Sequence, residues 1–349
     1  MTSPPGRPGG EVALPPVERV RPGLWSIPVP IPTSSLTYVL VYVFETDEGP
    51  YLVDAGWNTD EAYDALSAGL AAIGTSIGAV RGVLVTHIHP DHYGLAGRVR
   101  EMSGAWIALH PADAELVHDR YLVVDELLEE LRVSLRELGA PEPSIEALAG
   151  ATLDLIPLVA IGGPDLLLED GDRPPVPGFD LVALWTPGHS PGHLCFHELG
   201  QNLLLSGDHV LPRITPHVAM HPQSGPDPLG DFLASLDRVA ALGPAQVLPA
   251  HEYRFSDLAG RVEELHAHHR QRFVEAIAAV GAGHDTVWAV AAEMSWSRPW
   301  AETGGFMRRA AAFETFAHLN YLERRGLLTR HEGSPLRFTP GSGAQAVTG

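Results

Sequence analysis

From Leu24 to Leu248 the chain repeatedly alternates apolar and polar positions or gathers short β-branched runs, and each change of period marks an element. The alternation beginning at Leu24 is strand-like, and Thr37–Thr46 with Tyr51–Asp54 predicts a hairpin closed by Asp47-Glu48-Gly49-Pro50. Thr59–Ile73 switches to helical spacing, Val80–Thr86 reads as a buried strand, and Trp106–Leu109 as another. The pattern then recurs. Phe179–Trp185 predicts a strand, Leu194–Glu198 with Asn202–Leu205 a hairpin, Pro228–Leu242 contains a helix, and Gln246–Leu248 is a strand. Two β-rich halves, each with helices, imply a mixed α/β (α+β) fold of two packed sheets with helices outside.

Two stretches stand apart from this repeat. An insertion at about 119–168 carries Leu128, Leu131, Leu135 and Leu138 on an otherwise charged helix predicted over Tyr121–Leu138. That helix either packs on the body of the protein or forms a lid or dimer surface, so a homo-oligomer is possible. From residue 261 onward the chain reads as a helical unit. It has a charged helix Arg261–Ile277, then Phe313, Phe316, Leu319 and Leu322 at helical spacing, with Gly326 as a stop. A small hairpin follows, Leu327–Thr329 with Leu336–Thr339. The expected divisions are a Pro/Gly-rich arm at 1–22, the main domain at 23–260, the helical unit at 261–340 and a tail at 341–349.

Composition narrows the chemistry. The chain has 349 residues and a formal charge of −20, and all of its 23 basic residues are Arg. The lack of Lys excludes a Schiff base, a P-loop lysine and a Ser–Lys pair. The charge disfavours nucleic acid and anionic membranes as partners. From Arg261 to Arg337 ten Arg face nine acidic residues, so no basic stripe offsets it there. The single cysteine, Cys195, permits no internal disulfide. Together with the missing signal-peptide pattern and the lack of any long apolar run, this predicts a cytoplasmic setting with no membrane segment.

After the Val83-Leu84-Val85 run comes Thr86-His87-Ile88-His89-Pro90-Asp91-His92, three imidazoles and a carboxylate within six positions. Pro90 bars a regular helix before it, and Asp91 reads as the N-cap of a helix over His92–Val99. Imidazole nitrogen and carboxylate oxygen are zinc donors, and the interleaved pairs His87/His89 and Asp91/His92 can serve two ions. Downstream, His189 follows a strand in the Gly/Pro turn Thr186-Pro187-Gly188-His189-Ser190-Pro191-Gly192. Asp208 ends the strand Leu205-Ser206-Gly207, and His251 follows Leu248-Pro249-Ala250. One such residue would be an ordinary polar loop residue. Delivery of ligand types to several strand ends in one chain points to a single rim.

These motifs, with Asp54 upstream, resemble those of the metallo-β-lactamase superfamily over about residues 24–255. The resemblance implies an αββα sandwich with a dinuclear site at its edge and a winged-helix-like C-terminal domain. Carried over by position, His87, His89 and His189 would hold the first ion, and Asp91, His92 and His251 the second. Asp208 would bridge them, and Asp54 would orient a histidine. Asp208 stands where the antibiotic-degrading members carry cysteine, which places the chain nearer glyoxalase II and related thioesterases, lactonases and nucleases. The segment Asp208–Pro216 has no match to the lactonase tyrosine.

The expected activity is therefore cleavage of a small thioester, ester or related acyl substrate by a hydroxide bridging two Zn2+ ions, with Fe or Mn as possible substitutes. Asp91 and Asp208 are the expected catalytic carboxylates. Ser190 and Cys195 read as structural, because such a hydroxide makes a protein nucleophile redundant. Arg213, His217 and His221 lie in a Pro-rich loop after Asp208 and are candidates to line the substrate pocket. Two alternatives stay open: an RNA-processing nuclease, and an iron-dependent persulfide dioxygenase built from a subset of the ligands.

Overall fold

The structure is a computed structural model and describes residues 14–31 and 36–343. The first sheet contains β1 (Glu18–Arg21), β2 (Leu24–Pro30), β3 (Tyr38–Thr46), β4 (Gly49–Val53), β5 (Gly82–Leu84), β6 (Trp106–Leu109) and β7 (Leu166–Leu167), in that spatial order. Its first four strands are antiparallel neighbours, and β4 through β7 are parallel. The second sheet is β8 (Leu181–Trp185), β9 (Leu194–Glu198), β10 (Leu203–Gly207) and β11 (Gln246–Pro249), and a hairpin of β12 (Leu328–His331) and β13 (Arg337–Pro340) stands apart.

Alternation along β3 shows how the layers form. Leu40, Tyr42 and Phe44 face the second sheet and pack with Leu181, Leu194, Phe196, Leu203 and Leu205. Val39, Val41 and Val43 point the other way, onto Leu66 and Leu70 of α1 (Asp60–Ala72). The second sheet turns Cys195, Leu204 and Val247 outward onto Phe232 and Leu236 of α7 (Pro228–Ala240) and Leu258, Val262 and Leu265 of α8 (Leu258–Gly281). The result is the αββα sandwich.

The remaining helices are α2 (Pro90–Tyr93), α3 (Ala96–Ser103), α4 (Pro111–Tyr121), α5 (Val124–Glu137), α6 (Glu142–Gly150), α9 (Val287–Glu293) and α10 (Gly305–Arg324). Leu128, Leu131 and Leu135 of α5 share one core with Ala276, Ile277 and Val280 of α8, with Val287 and Val290 of α9, and with Phe313, Leu319 and Leu322 of α10. The insertion thus joins the C-terminal helices in one unit. It also contributes β7 to the first sheet. Helix α8 runs through the expected boundary at 260/261, with its start in the sandwich layer and its end in the helical unit.

Several local expectations are corrected. Residues 18–21 of the expected arm are a strand, because Pro22-Gly23 is a tight turn (Gly23 φ 72°) that folds Val20 back against the sheet; residues 1–13 lie outside the described range. The hairpin turn is only Asp47-Glu48, since Thr46 pairs with Gly49. The helix expected over 121–138 is α5, which begins only at Val124, after Leu122-Val123 part it from α4. Asp91 is not an N-cap: His89 takes that position and Pro90 is N1, where its missing N–H costs nothing. The helix expected over 92–99 is interrupted between α2 and α3, and Asp91 is left free to face the site.

Candidate metal centre

Each motif of the cluster follows a strand end: Asp54 after β4, His87 after β5, His189 after β8, Asp208 after β10 and His251 after β11. The loops are tied to each other by backbone hydrogen bonds. Thr86 O accepts from Leu194 N (2.8 Å), joining the sheets, and Ala250 N donates to Gly207 O (3.0 Å).

Three nitrogens meet at one point. His87 Nε2 lies 2.9 Å from His89 Nδ1, and His189 Nε2 is 3.1 and 3.0 Å from them. A tetrahedral ion with nitrogen bonds of about 2.0–2.1 Å holds its donors roughly 3.3 Å apart, so the spacing suits one. Beside them, His251 Nε2 is 3.3 Å from Asp91 Oδ2 and from Asp208 Oδ1, and His92 Nε2 is 3.6 Å from the same two oxygens. The other Asp208 oxygen, Oδ2, lies 3.6 Å from His189 Nε2. Asp208 therefore faces both sets. His92 Nε2, His251 Nε2 and Asp208 Oδ1 are buried with no hydrogen-bond partner among the described residues. Buried polar atoms are rarely left so unless something binds them. Three groups could each hold an ion: His87/His89/His189, His87/His92/Asp208 and Asp91/His92/His251.

The far sides of these imidazoles are fixed. Asp54 Oδ2 lies 2.8 Å from His92 Nδ1, while its Oδ1 accepts from the Thr86 N–H (2.8 Å). Asp54 holds a positive φ of 63°, the kind of backbone strain that collects at functional sites. His189 Nδ1 meets His217 O at 2.7 Å and His251 Nδ1 meets Tyr38 O at 3.0 Å. Each bond of this type selects the tautomer whose other nitrogen is a free donor for a metal.

Charge divides the two sets. Burial, then the neighbouring histidines, hold His87 and His89 well below the ordinary imidazole value. Burial would depress His92 too, but Asp91, Asp208 and Asp54 outweigh it and hold His92 well above that value. His251 is pushed up to about 10, with Asp208 and Asp91 outweighing burial. Asp208 is held well below the usual carboxylate range because His251 and His92 overcome its desolvation.

Of the three candidate substrate residues, Arg213 lies on Glu252 (2.7 Å), the residue after His251. His217 supplies the carbonyl behind His189, and the His221 ring packs against Phe313. Ser190 Oγ donates to Asp113, and Cys195 is buried in the layer beneath the second sheet.

Asp113 is invisible in the sequence, where it reads as an ordinary acid in the first turn of a helix. It is fully buried and accepts three bonds: from Ile88 N (3.0 Å), Ser190 Oγ (2.9 Å) and Gly192 N (2.6 Å). It thus clamps the 87–89 loop to the 189 loop. A Cβ on Gly192 would lie 2.5 Å from Asp113 N, so only glycine allows the approach. His193 Nε2 likewise accepts from the Asp208 N–H (3.1 Å) and sets the carboxylate's backbone.

Comparison with known proteins agrees with this geometry. The Metallo-beta-lactamase superfamily profile matches residues 35–251. A metallo-beta-lactamase family protein from Thermus thermophilus superposes with a TM-score of 0.77 at 32% identity, covering 92% of this chain and 100% of its own. A beta-lactamase domain protein from Burkholderia ambifaria gives 0.79 at 26%, covering 93% and 94%. Among curated proteins, the Bacillus subtilis probable metallo-hydrolase YqjP is 28% identical over 67% of this chain and 73% of its own. The Lactamase-like protein adaB of Aspergillus niger is 35% identical over 45% of this chain, and the match spans only 43% of adaB. Among the described residues no helix is long and apolar enough to cross a membrane. Sandwich, strand-end His/Asp cluster and profile agree: the chain belongs to the metallo-beta-lactamase superfamily.

Proposed function

We propose that the chain is a dinuclear hydrolase, zinc being the first metal to test, that cleaves a small thioester, ester or related acyl compound. The observation that supports this most is the double facing of Asp208, one oxygen toward His92 and His251 and the other toward His189. His87, His89 and His189 would hold one ion, Asp91, His92 and His251 the other, with Asp208 shared. Bound there, the ions would supply an acidified water and a Lewis acid for the acyl carbonyl.

The protein's own part is positioning and proton handling. Asp54, the His217 carbonyl and the Tyr38 carbonyl hold three imidazoles in the tautomer that leaves Nε2 unprotonated. Asp91 is partly exposed at the cleft and borders His92 and His251, so it can take the nucleophile's proton and pass it to the leaving group. Arg213, paired with Glu252 at the rim, and His217 and His221 in the loop beside it would contact the substrate.

The nuclease reading has the winged-helix-like order of helices and hairpin at 258–340 in its favour. The charge of −20 and the near balance of Arg and acid from 261 to 337 weigh against it. The test is turnover by the zinc-loaded protein on a panel of thioester, ester, lactone, β-lactam and RNA. Thioester or ester hydrolysis is expected. Cleavage of RNA alone, or one iron per chain with oxygen consumption, would overturn the proposal.

A further inference from the structure

The chain reverses around the last candidate ligand. Val247 of β11 and Phe255 exchange both backbone hydrogen bonds, Val247 N to Phe255 O (2.7 Å) and Phe255 N to Val247 O (3.2 Å), so residues 248–254 form a tight return loop that carries His251. Glu252 takes the left-handed bend of that loop, with φ 68°. Among the described residues only Asp54, Asn202 and Glu252 reach positive φ without being glycine. Asparagine enters this region readily, and Asp54 is bonded to Thr86 and His92. A glutamate there strains the backbone where glycine would not. Such strain persists only where surrounding contacts hold it, so the side chain at 252 has a task.

The task is visible in its bonds. Glu252 Oε2 accepts from the Arg213 N–H (3.1 Å), and Oε1 accepts from Arg213 Nε (2.9 Å). The Glu252 carbonyl accepts from the Tyr38 hydroxyl (2.9 Å), and the Tyr38 carbonyl in turn meets His251 Nδ1 (3.0 Å). Arg213 stands five residues after Asp208. The carbonyls of Leu211, Arg213 and Ile214 accept from Arg261 of α8 (2.7, 3.0 and 2.9 Å), so this stretch is held from two sides. The ion pair by itself explains little, because the Arg213 side chain is 69% exposed and exposed pairs are weak. The bond to the main chain is different. The Glu252 side chain is only 13% exposed, and it reaches from the His251 loop to the backbone of the Asp208 loop. Those two loops deliver His251 Nε2 and Asp208 Oδ1, which face each other at 3.3 Å. Asp113 ties the other pair of loops in the same manner, by accepting backbone N–H groups.

We infer that Glu252 is a positioning residue for the second ion: its carboxylate fixes the Asp208 loop against the His251 loop, and the strained backbone at 252 is kept for that tie. This rests on the dinuclear reading of the cluster. Glu252 acts through Asp208 and His251, and the charge it shares with Arg213 is incidental to that role.

The test is a two-step zinc titration of metal-stripped full-length protein against a chromophoric chelator, paired with urea unfolding of the metal-free form. Wild type, E252Q, E252A and E252G are compared. Gln keeps an acceptor for the Arg213 N–H, so E252Q should bind both ions about as wild type does. E252A and E252G should each weaken one zinc step at least tenfold, the loss typical when contacts that orient metal ligands are removed, and leave the other near wild type. The two should part in stability. E252G, relieved of the positive φ, should unfold at the wild-type urea concentration, and E252A at a lower one. A side chain that merely stabilised the loop would make zinc affinity follow stability; E252G would then bind zinc as wild type does, and that result overturns the inference. Equal zinc loss in E252Q and E252A would overturn it too, by assigning the effect to the charge and not to the tie. If wild type takes up a single ion, the dinuclear reading falls, and the inference stands only if E252A and E252G weaken that ion and E252Q does not.

Discussion

Replacing Asp113 with alanine offers a sharp test of how the two histidine loops are held. Among the described residues the carboxylate is the only acceptor for the N–H groups of Ile88 and Gly192, both buried, and it also takes the Ser190 hydroxyl. Truncation leaves two backbone donors unsatisfied at about 1–3 kcal/mol each. A water entering the vacated space would recover part of that, which gives a net loss of about 3 kcal/mol, or roughly a hundredfold in the folding equilibrium. The same change frees the His87/His89 loop from the His189 loop, and loss of such supporting contacts lowers metal affinity about 10–100-fold. Ser190→Ala removes one hydroxyl and leaves both N–H groups bonded, so it should cost about 1 kcal/mol. Urea unfolding of metal-free protein followed by tryptophan fluorescence, with competitive zinc titration, measures both effects. If Asp113→Ala costs no more than Ser190→Ala and binds zinc normally, the clamp is not what holds the loops together.

Four further outcomes are expected. Purified protein should carry close to two metal ions per chain by elemental analysis; as pH falls the first loss should come from the Asp91/His92/His251 set, because those imidazoles take protons at higher pH than His87 and His89, and simultaneous loss would contradict this. Asp208→Ala should lower activity by several orders of magnitude and release at least one ion while circular dichroism stays native; retained activity with both ions would refute the bridge. Gly207→Ala should impair metal loading, since Gly207 has φ 49° and a Cβ there would lie 2.8 Å from His193 Nε2, the atom that positions Asp208; normal zinc stoichiometry would count against this. Deleting 261–349 should strip cover from Leu128, Leu131 and Leu135 and cause aggregation on size exclusion, and the intact chain should give no mobility shift of RNA at about 50 mM salt.

The sandwich is legible in the sequence because its signals are local. Period-two alternation in β3 and the β-branched run of β5 announce strands without reference to anything distant. The His and Asp motifs are legible for the same reason, each standing beside its own strand end. What stays hidden depends on contacts across the chain. Nothing around Asp113 says that Gly192 will arrive 79 positions later. Glu252 looks like one more charged loop residue until the backbone of Arg213 is seen beside it. The break at Leu122-Val123 escapes because no Pro or Gly marks it, and the role of the leucines that follow it is seen only with Phe313 packed on them. Pro22-Gly23 reads as part of a loose arm, although the same pair is good turn chemistry once Val20 has a sheet to join.

The 24-residue α8 carries one more consequence. Its first turns are cemented beneath the second sheet and its last turns lie within the helical unit, with Phe273 packed against both. A continuous rod anchored at each end cannot serve as a hinge, so the helical unit cannot swing away from the sandwich as a rigid flap. Any loosening beside the cluster is then expected in the connecting loops, above all 213–224. Amide exchange should therefore be slow along the whole of α8 and fast in that loop, and heating should melt sandwich and helical unit in a single step.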